Sequence, residues 1–278
     1  MRYLLILVAL ITSTAFAAPY FEETMAEAKQ GDARAQAKLG DLYKFDENDA
    51  EAVKWYRKAA DQGHAKAQAN LGDLYHLGEN DAEAVKWYRK AADQGHARAQ
   101  ANLGAKYANG KGVPKNYAEA VKWYRKAADQ GYADAQVNLG LMYGNGEGVP
   151  ENDDEAVKWY RKAADQWHAR AENNLGSMYY HGEGVPKNYA EAVKWYEKAA
   201  VQGYADAQVS LGVMYANGEG VSENNIRAYV WWSMAKTQGN ADASTNIEIL
   251  KPTMTKQQIA EAQALATQCY ESNYYDCD

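Results

Sequence analysis

Ser233-Met-Ala-Lys236 sets a hydroxyl and an amine one helical turn apart. In that spacing a lysine can help activate a serine for acyl transfer to a β-lactam ring. The chemistry also needs an S-D-N wall and a K-T-G wall. Ser222-Glu-Asn224 matches the first only loosely, and Gln238 follows Lys236-Thr237, so the second is missing. The expectation is a solvated serine on a helix surface, with a β-lactam hydrolase using Ser233 as the alternative.

His64, His96 and His168 occupy one slot in separate copies of a repeated segment. Helices stacked about 8–10 Å apart cannot bring such residues to one zinc, whose nitrogen ligands lie at about 2.0–2.1 Å. The acidic runs Asp46-Glu-Asn-Asp49 and Glu151-Asn-Asp-Asp154 lack the D-x-[DN]-x-[DN]-G spacing of a calcium loop. Helix capping accounts for them better. No metal site and no cofactor is expected. Lys54, Arg57, Lys58 and their equivalents form a basic stripe, broken at Glu197. It could draw a polyanion, but charged helix faces are usually solvated. With 30 Lys+Arg against 37 Asp+Glu, the net charge of −7 disfavours nucleic acid or an anionic membrane as partner.

Arg2, an apolar stretch from Tyr3 to Ile11 and Ala15-Phe16-Ala17 read as a signal peptide over residues 1–17, cut after Ala17. The apolar stretch is too short to span a bilayer, and no stable membrane insertion is expected. No cysteine follows the cut, so a lipoprotein anchor is not indicated. A bacterial periplasmic location, or secretion beyond it, is the expectation. Cys269 and Cys277, an even pair in an oxidising compartment, are expected to form a disulfide.

What positions these residues is a repeat. The chain holds 22 Tyr and 8 Trp but only 3 Phe, the skew of a short motif copied many times. Trp55, Trp87, Trp123, Trp159, Trp195 and Trp231 are spaced 32, 36, 36, 36 and 36 residues apart. Gly40, Gly72, Gly104, Gly140, Gly176 and Gly212 follow a leucine in each copy. Each copy reads as two helices. In the first, Ala135, Leu139 and Tyr143 make an apolar stripe at helical period. Gly140 lies mid-helix, where glycine costs about 1 kcal/mol against alanine, so another helix is expected to approach there. In the second, Ala156, Val157, Tyr160, Ala163 and Ala164 form the buried face, with Lys158, Arg161 and Lys162 outside. Asn48, Asn80, Asn116, Asn152 and Asn188 each stand three residues before a Glu, an Asn form of the capping box. Gln-Gly ends most second helices, as a left-handed stop requires, and Trp167 replaces the glycine in one copy.

The Leu-Gly-x-x-Tyr, Gly-x-Gly-Val, Ala-x-x-Trp-Tyr-x-x-Ala-Ala and Gln-Gly pattern resembles the Sel-1-like repeat, a relative of the tetratricopeptide repeat. The match covers residues 31–238, and the copies starting at Gly31 and Gly63 lack four residues of the interhelical loop. The resemblance implies an all-α, right-handed superhelical solenoid of antiparallel helix pairs that serves as a protein-interaction scaffold. Residues 18–30 read as a degenerate capping helix and 239–278 as a capping helix pair with a cysteine-containing tail. There Lys251-Pro252 stops one helix and Thr255-x-x-Gln258 caps the last, which should cover some of the apolar surface carried by Val230, Trp232 and Met234.

In this family the first helices line a concave groove. Two slots on them read Ala37/Asp41, Ala69/Asp73, Ala101/Ala105, Val137/Leu141, Asn173/Ser177 and Val209/Val213 in order. Polarity falls towards the C-terminus. These positions either face the groove or pack between adjacent first helices, since periodicity alone does not separate the two. The groove candidates are Ala105, Val137, Leu141, Ser177, Val209 and Val213, with Asn102, Asn138 and Asn174 flanking them to bond a peptide backbone. The expected function is a non-enzymatic scaffold for a protein or peptide ligand. An immunity protein that neutralises a toxin is a further alternative under the same resemblance.

Overall fold

Alanine, leucine and long polar side chains lose little freedom in a helix, and they dominate most segments between the turn signals. A computed structural model describes residues 19–274 and Cys277, and no strand occurs among them. The chain divides into two compact units, one ending at Gln130 and the other beginning at Gly131. The first holds α1 (19–29), then the pairs α2 (Ala33–Phe45) with α3 (Asp49–Asp61), α4 (Ala65–Leu77) with α5 (Asp81–Asp93), and α6 (Ala97–Asn109) with α7 (Tyr117–Asp129). The second pairs α8 (Ala133–Asn145) with α9 (Asp153–Ala164), α10 (Ala169–His181) with α11 (Tyr189–Val201), and α12 (Ala205–Asn217) with α13 (Asn225–Thr237). It closes with α14 (Ala241–Leu250), a 3₁₀ turn (Lys251–Thr253) and α15 (Lys256–Glu271). The signal peptide over residues 1–17 and its cut lie outside the described residues.

The mid-helix glycines are explained by tyrosines. The ring of Tyr56 lies on Gly40, Tyr88 on Gly72, Tyr124 on Gly104, Tyr160 on Gly140 and Tyr196 on Gly176, while Trp232 takes that place on Gly212. A Cβ on Gly140 or Gly176 would stand 2.6 Å from ring carbon. The absent side chain therefore lets the second helix of each pair close onto the first.

The caps form on one side only. Asn48, Asn80, Asn116, Asn152 and Asn188 accept from the amide of the Glu three residues on, at 3.0–3.2 Å. The glutamates turn outward instead of closing the box, and each pairs with the lysine three residues further along, Glu51 with Lys54 through to Glu191 with Lys194. The second-helix stops hold as well. Gly63, Gly95, Gly203 and Gly239 have φ of 81–88°. Trp167 keeps the same left-handed stop with φ 61°, at a cost of about 1–2 kcal/mol for a residue with a Cβ.

A glutamine ladder ties consecutive pairs together. Gln36, Gln68, Gln100 and Gln208 are buried and donate to the carbonyls of Ala28, Ala60, Ala92 and Ala200 at 3.0–3.1 Å. Each accepts from the glutamine at the end of its own second helix, as Gln94 gives to Gln68 at 2.7 Å. In α10 the slot is Glu172, 1% exposed, which accepts from Gln202 at 2.5 Å.

The long interhelical loops reach back one repeat. Gly112 sits on the carbonyl of Asp81, Gly184 on Asp153 and Gly220 on Tyr189, with no room for a Cβ. The loops at 46–48 and 78–80 are too short for this. At one end of the chain Ala28 of α1 packs with Leu39 and Trp55. At the other, α15 packs on α13, and its Ala262, Ala266 and Cys269 join the buried cluster that holds Val230 and Met234, while Trp232 turns to α12 and donates to the carbonyl of Val209. Thr255 and Gln258 form a reciprocal capping box at its start. Cys269 and Cys277 are joined, with their Cα atoms 4.4 Å apart. No helix among the described residues is long and apolar enough to cross a membrane.

Candidate partner-binding clefts

Side-by-side first helices leave a furrow floored by the tyrosine of the intervening second helix. Two such furrows are developed into clefts, one in each unit, at the same repeat register. In the first unit, α4 and α6 enclose about 340 Å³ lined by Asp73, His76, Leu77, Asn102, Ala105 and Lys106, with Tyr88 at the floor. In the second, α10 and α12 enclose about 290 Å³ lined by Ser177, Tyr180, His181, Val209, Ser210 and Val213, with Tyr196 at the floor and Met214 beside it.

The chemistry of the two differs. In the first unit the Asp73 carboxylate accepts from Tyr88 Oη at 2.9 Å and Asn102 Nδ2 at 3.1 Å, and pairs with Arg98 at 2.6 Å. One repeat earlier, Asp41 is held likewise by Tyr56, Asn70 and Lys66 at 2.7–3.0 Å. Burial, reinforced by the neighbouring carboxylate, raises the Tyr56 and Tyr88 phenols well above their ordinary pKa. Buried Lys106 pairs with Asp81, and its Nζ lies 2.8 Å from His76 Nδ1. The Lys106 hydrogen bond holds the Asp81 carboxyl below the usual range. These polar groups satisfy one another.

In the second unit Ser177 stands where Asp73 does, Ser210 for Asn102, Val213 for Ala105 and Met214 for Lys106. Burial pushes the Tyr196 phenol up to about 12, against the opposing hydrogen bonds of Ser210 and Ser177. Tyr180 donates to Glu219 at 3.2 Å, and its ring meets His181 edge-on at 4.9 Å. The result is a cleft without charged groups in its lining save His181, where Val209, Val213 and Met214 stand beside the hydroxyls of Ser177, Ser210 and Tyr196.

The two slots on the first helices behave differently. Ala37, Ala69, Ala101 and Val137 are buried. Val137 is 1% exposed and packs with Leu175 and Val157, so for this candidate the seam between first helices is the right reading and the groove is not. Leu141 is half-buried against the same cluster. Ala105, Ser177, Val209 and Val213 stay partly open and line the clefts. Asn102 is not free for a peptide backbone, because its amide is given to Asp73. Asn138 and Asn174 are half-buried. Tyr88, Tyr180, Tyr196, Ser210 and Met214 were not among the candidates. The signal available in the repeat alignment is that the slots of Asp73 and Asn102 become Ser177 and Ser210.

The family is decided by the repeat register now described. The Sel1 repeat model matches residues 33–64, 65–96, 97–132, 133–166, 169–204 and 205–240. The chain belongs to the Sel1 repeat family. Similar solved structures agree. The Sel1-like protein c5321, a protective antigen present in uropathogenic Escherichia coli strains, is 36% identical over 91% of this chain with a TM-score of 0.78. This chain spans 56% of the length of c5321. A Sel1 repeat protein from Oxalobacter formigenes is 36% identical, covers 82% of this chain and is itself 96% covered, with a TM-score of 0.71. No curated protein matches.

The remaining candidates for chemistry resolve into Sel1 repeat packing. Ser233 is half-buried on α13, and among the described residues no hydrogen bond joins it to Lys236, Ser222 or Asn224. His64 and His96 cap α4 and α6 through Nδ1, and His168 Nε2 lies 2.9 Å from Asp134. Among the described residues no group of three or more His, Cys, Asp or Glu side chains could hold a metal. The basic stripe is largely spoken for. Its first lysine in each repeat pairs with glutamate, and Lys58, Lys90, Lys126, Lys162 and Lys198 lie over tryptophan rings at 3.8–4.1 Å.

Proposed function

We propose that this Sel1 repeat protein is an exported, non-enzymatic scaffold that holds a protein or peptide partner against its first helices. The α10–α12 cleft is the anchor site. The observation that supports this is a contrast at one register: the charged first-unit cleft is satisfied internally, while its second-unit equivalent leaves Val209 and Val213 partly open beside Ser177, Ser210 and Tyr180. A concave site with apolar side chains and a few polar groups is the ordinary form of a side-chain pocket. A space of about 290 Å³ suits one large apolar side chain of a partner.

Export rests on the leader over residues 1–17 and on the Cys269–Cys277 pair. Intact mass of periplasmic protein should give a chain starting at Ala18-Pro19, and a retained full-length species refutes export. For the cleft, benzoylphenylalanine in place of Val213 should trap a discrete adduct in cells on irradiation. The same residue in place of exposed Lys122 should not. Equal trapping at both positions, or none at Val213, overturns the reading.

A further inference from the structure

Phe45 and Leu77 are 87% and 67% exposed. They hold one repeat position, the C-terminal ends of α2 and α4, which the third and later repeats fill with Asn109, Asn145, His181 and Asn217. The short loops explain their exposure. In the third repeat the loop folds back so that Gly112 covers the start of α5, whereas a Cβ on Gly78 would meet only carbonyls of its own helix, at Leu74 and Tyr75. The edge of the first two repeats is left open, with two apolar side chains at its crest.

α2 and α4 run side by side, joined by Lys66 and Asn70 on Asp41. Packed helices lie about 8–10 Å apart, which sets the spacing of Phe45 and Leu77. The charge around them is acidic. Lys44 pairs with Asp49, and Lys106 with Asp81. Among the described residues Asp46, Glu47 and Glu79 have no ion-pair partner, against one unpaired lysine, Lys111. Glu47 and Glu79 also hold left-handed backbone, φ 57° and 58°. Exposed apolar groups in such a setting mark a partner site, and the charge selects the partner's sign.

We infer that the Phe45–Leu77 edge docks a cationic segment of a partner protein that carries two apolar side chains about 10 Å apart, the separation of residues i and i+7 on a helix rising about 1.5 Å per residue. The edge is independent of the α10–α12 cleft and holds whether or not that cleft binds.

The test uses the mature protein and a fluorescein-labelled helical peptide of Lys and Ala with two Leu seven residues apart, read by anisotropy. F45S/L77S should weaken binding at least tenfold while leaving the melting curve unchanged, because both residues are exposed. D46N/E47Q/E79Q should weaken it severalfold and flatten its salt dependence, and V213K should leave it unchanged. The same peptide with Glu for Lys should not bind. The inference is overturned if wild type fails to bind the peptide, if F45S/L77S binds it as wild type does, or if the Glu peptide binds equally. It is also overturned if wild type sediments as a dimer that F45S/L77S dissociates, which would give the edge to a second copy of the chain.

Discussion

Replacing Glu172 by Gln should stabilise the second unit, and the gain should depend on pH. In the ladder each glutamine both accepts from its partner and donates to a buried alanine carbonyl. Ionised Glu172 accepts from Gln202 but has no proton for the carbonyl of Ala164, which holds the place of Ala60 and Ala200. Burial therefore raises its pKa, opposed by Lys198, the Gln202 hydrogen bond and His168. A carboxyl whose folded pKa lies above its unfolded value contributes stability that is full below the unfolded pKa. That stability is lost as pH rises through the folded pKa. Glu172→Gln restores a hydrogen bond worth about 1 kcal/mol net and removes a buried, imperfectly paired charge worth about 1 kcal/mol or more. At about 2–4 °C per kcal/mol, the melting temperature at pH 7.5 should rise by roughly 4–8 °C. Near pH 4, where the carboxyl is protonated and can donate as glutamine does, variant and wild type should converge. Calorimetry of both proteins across pH 4–8 decides the matter. A variant no more stable at pH 7.5, or one with an equal gain at both ends, refutes the argument.

Gly176→Ala drives a Cβ to 2.6 Å from the Tyr196 ring, and the overpacking should cost about 1–3 kcal/mol, seen as a lowered urea midpoint. Trp167→Gly removes a side chain that is 75% exposed at φ 61°. It should raise stability by about 1 kcal/mol through relief of left-handed strain, and a lowered melting temperature counts against this. Cys277→Ser should speed hydrogen exchange in the C-terminal turn of α15 and leave α8–α12 protected, since the short loop acts locally. Loss of protection throughout the second unit would contradict it.

Much of the fold can be read from the sequence because the repeat reports it many times over. One Leu-Gly pair is ambiguous, but six in register show a close approach, and five Tyr rings and the indole of Trp232 supply it. The asparagine caps are local in sequence and therefore visible. The clefts are less so. Ala37 and Asp41 lie four residues apart on one helix face, yet the first is sealed by the neighbouring helix and the second is not. That difference depends on how far α4 is offset along α2, a property of the stack and not of either helix. Glu172 looks like one more surface acid until the ladder shows what its slot must donate. Trp167 looks like a broken stop, and the backbone bonds from Trp167 to Ala164 and from His168 to Ala163 keep the stop intact.

The loop that seats Gly112 on Asp81, Gly184 on Asp153 and Gly220 on Tyr189 joins its repeat to the one before it. In a linear array, stability is close to a sum of individual repeat terms and nearest-neighbour terms, so this contact makes the neighbour term directional. Where the loop is short, as before α3 and α5, the term shrinks. Within the first unit the α2–α3 pair is then the least tethered, and melting there should run from α1 towards α7 like a zip opened from one end. A chain that loosens first at its opening repeats keeps those pliable while the later, better-latched ones stay folded.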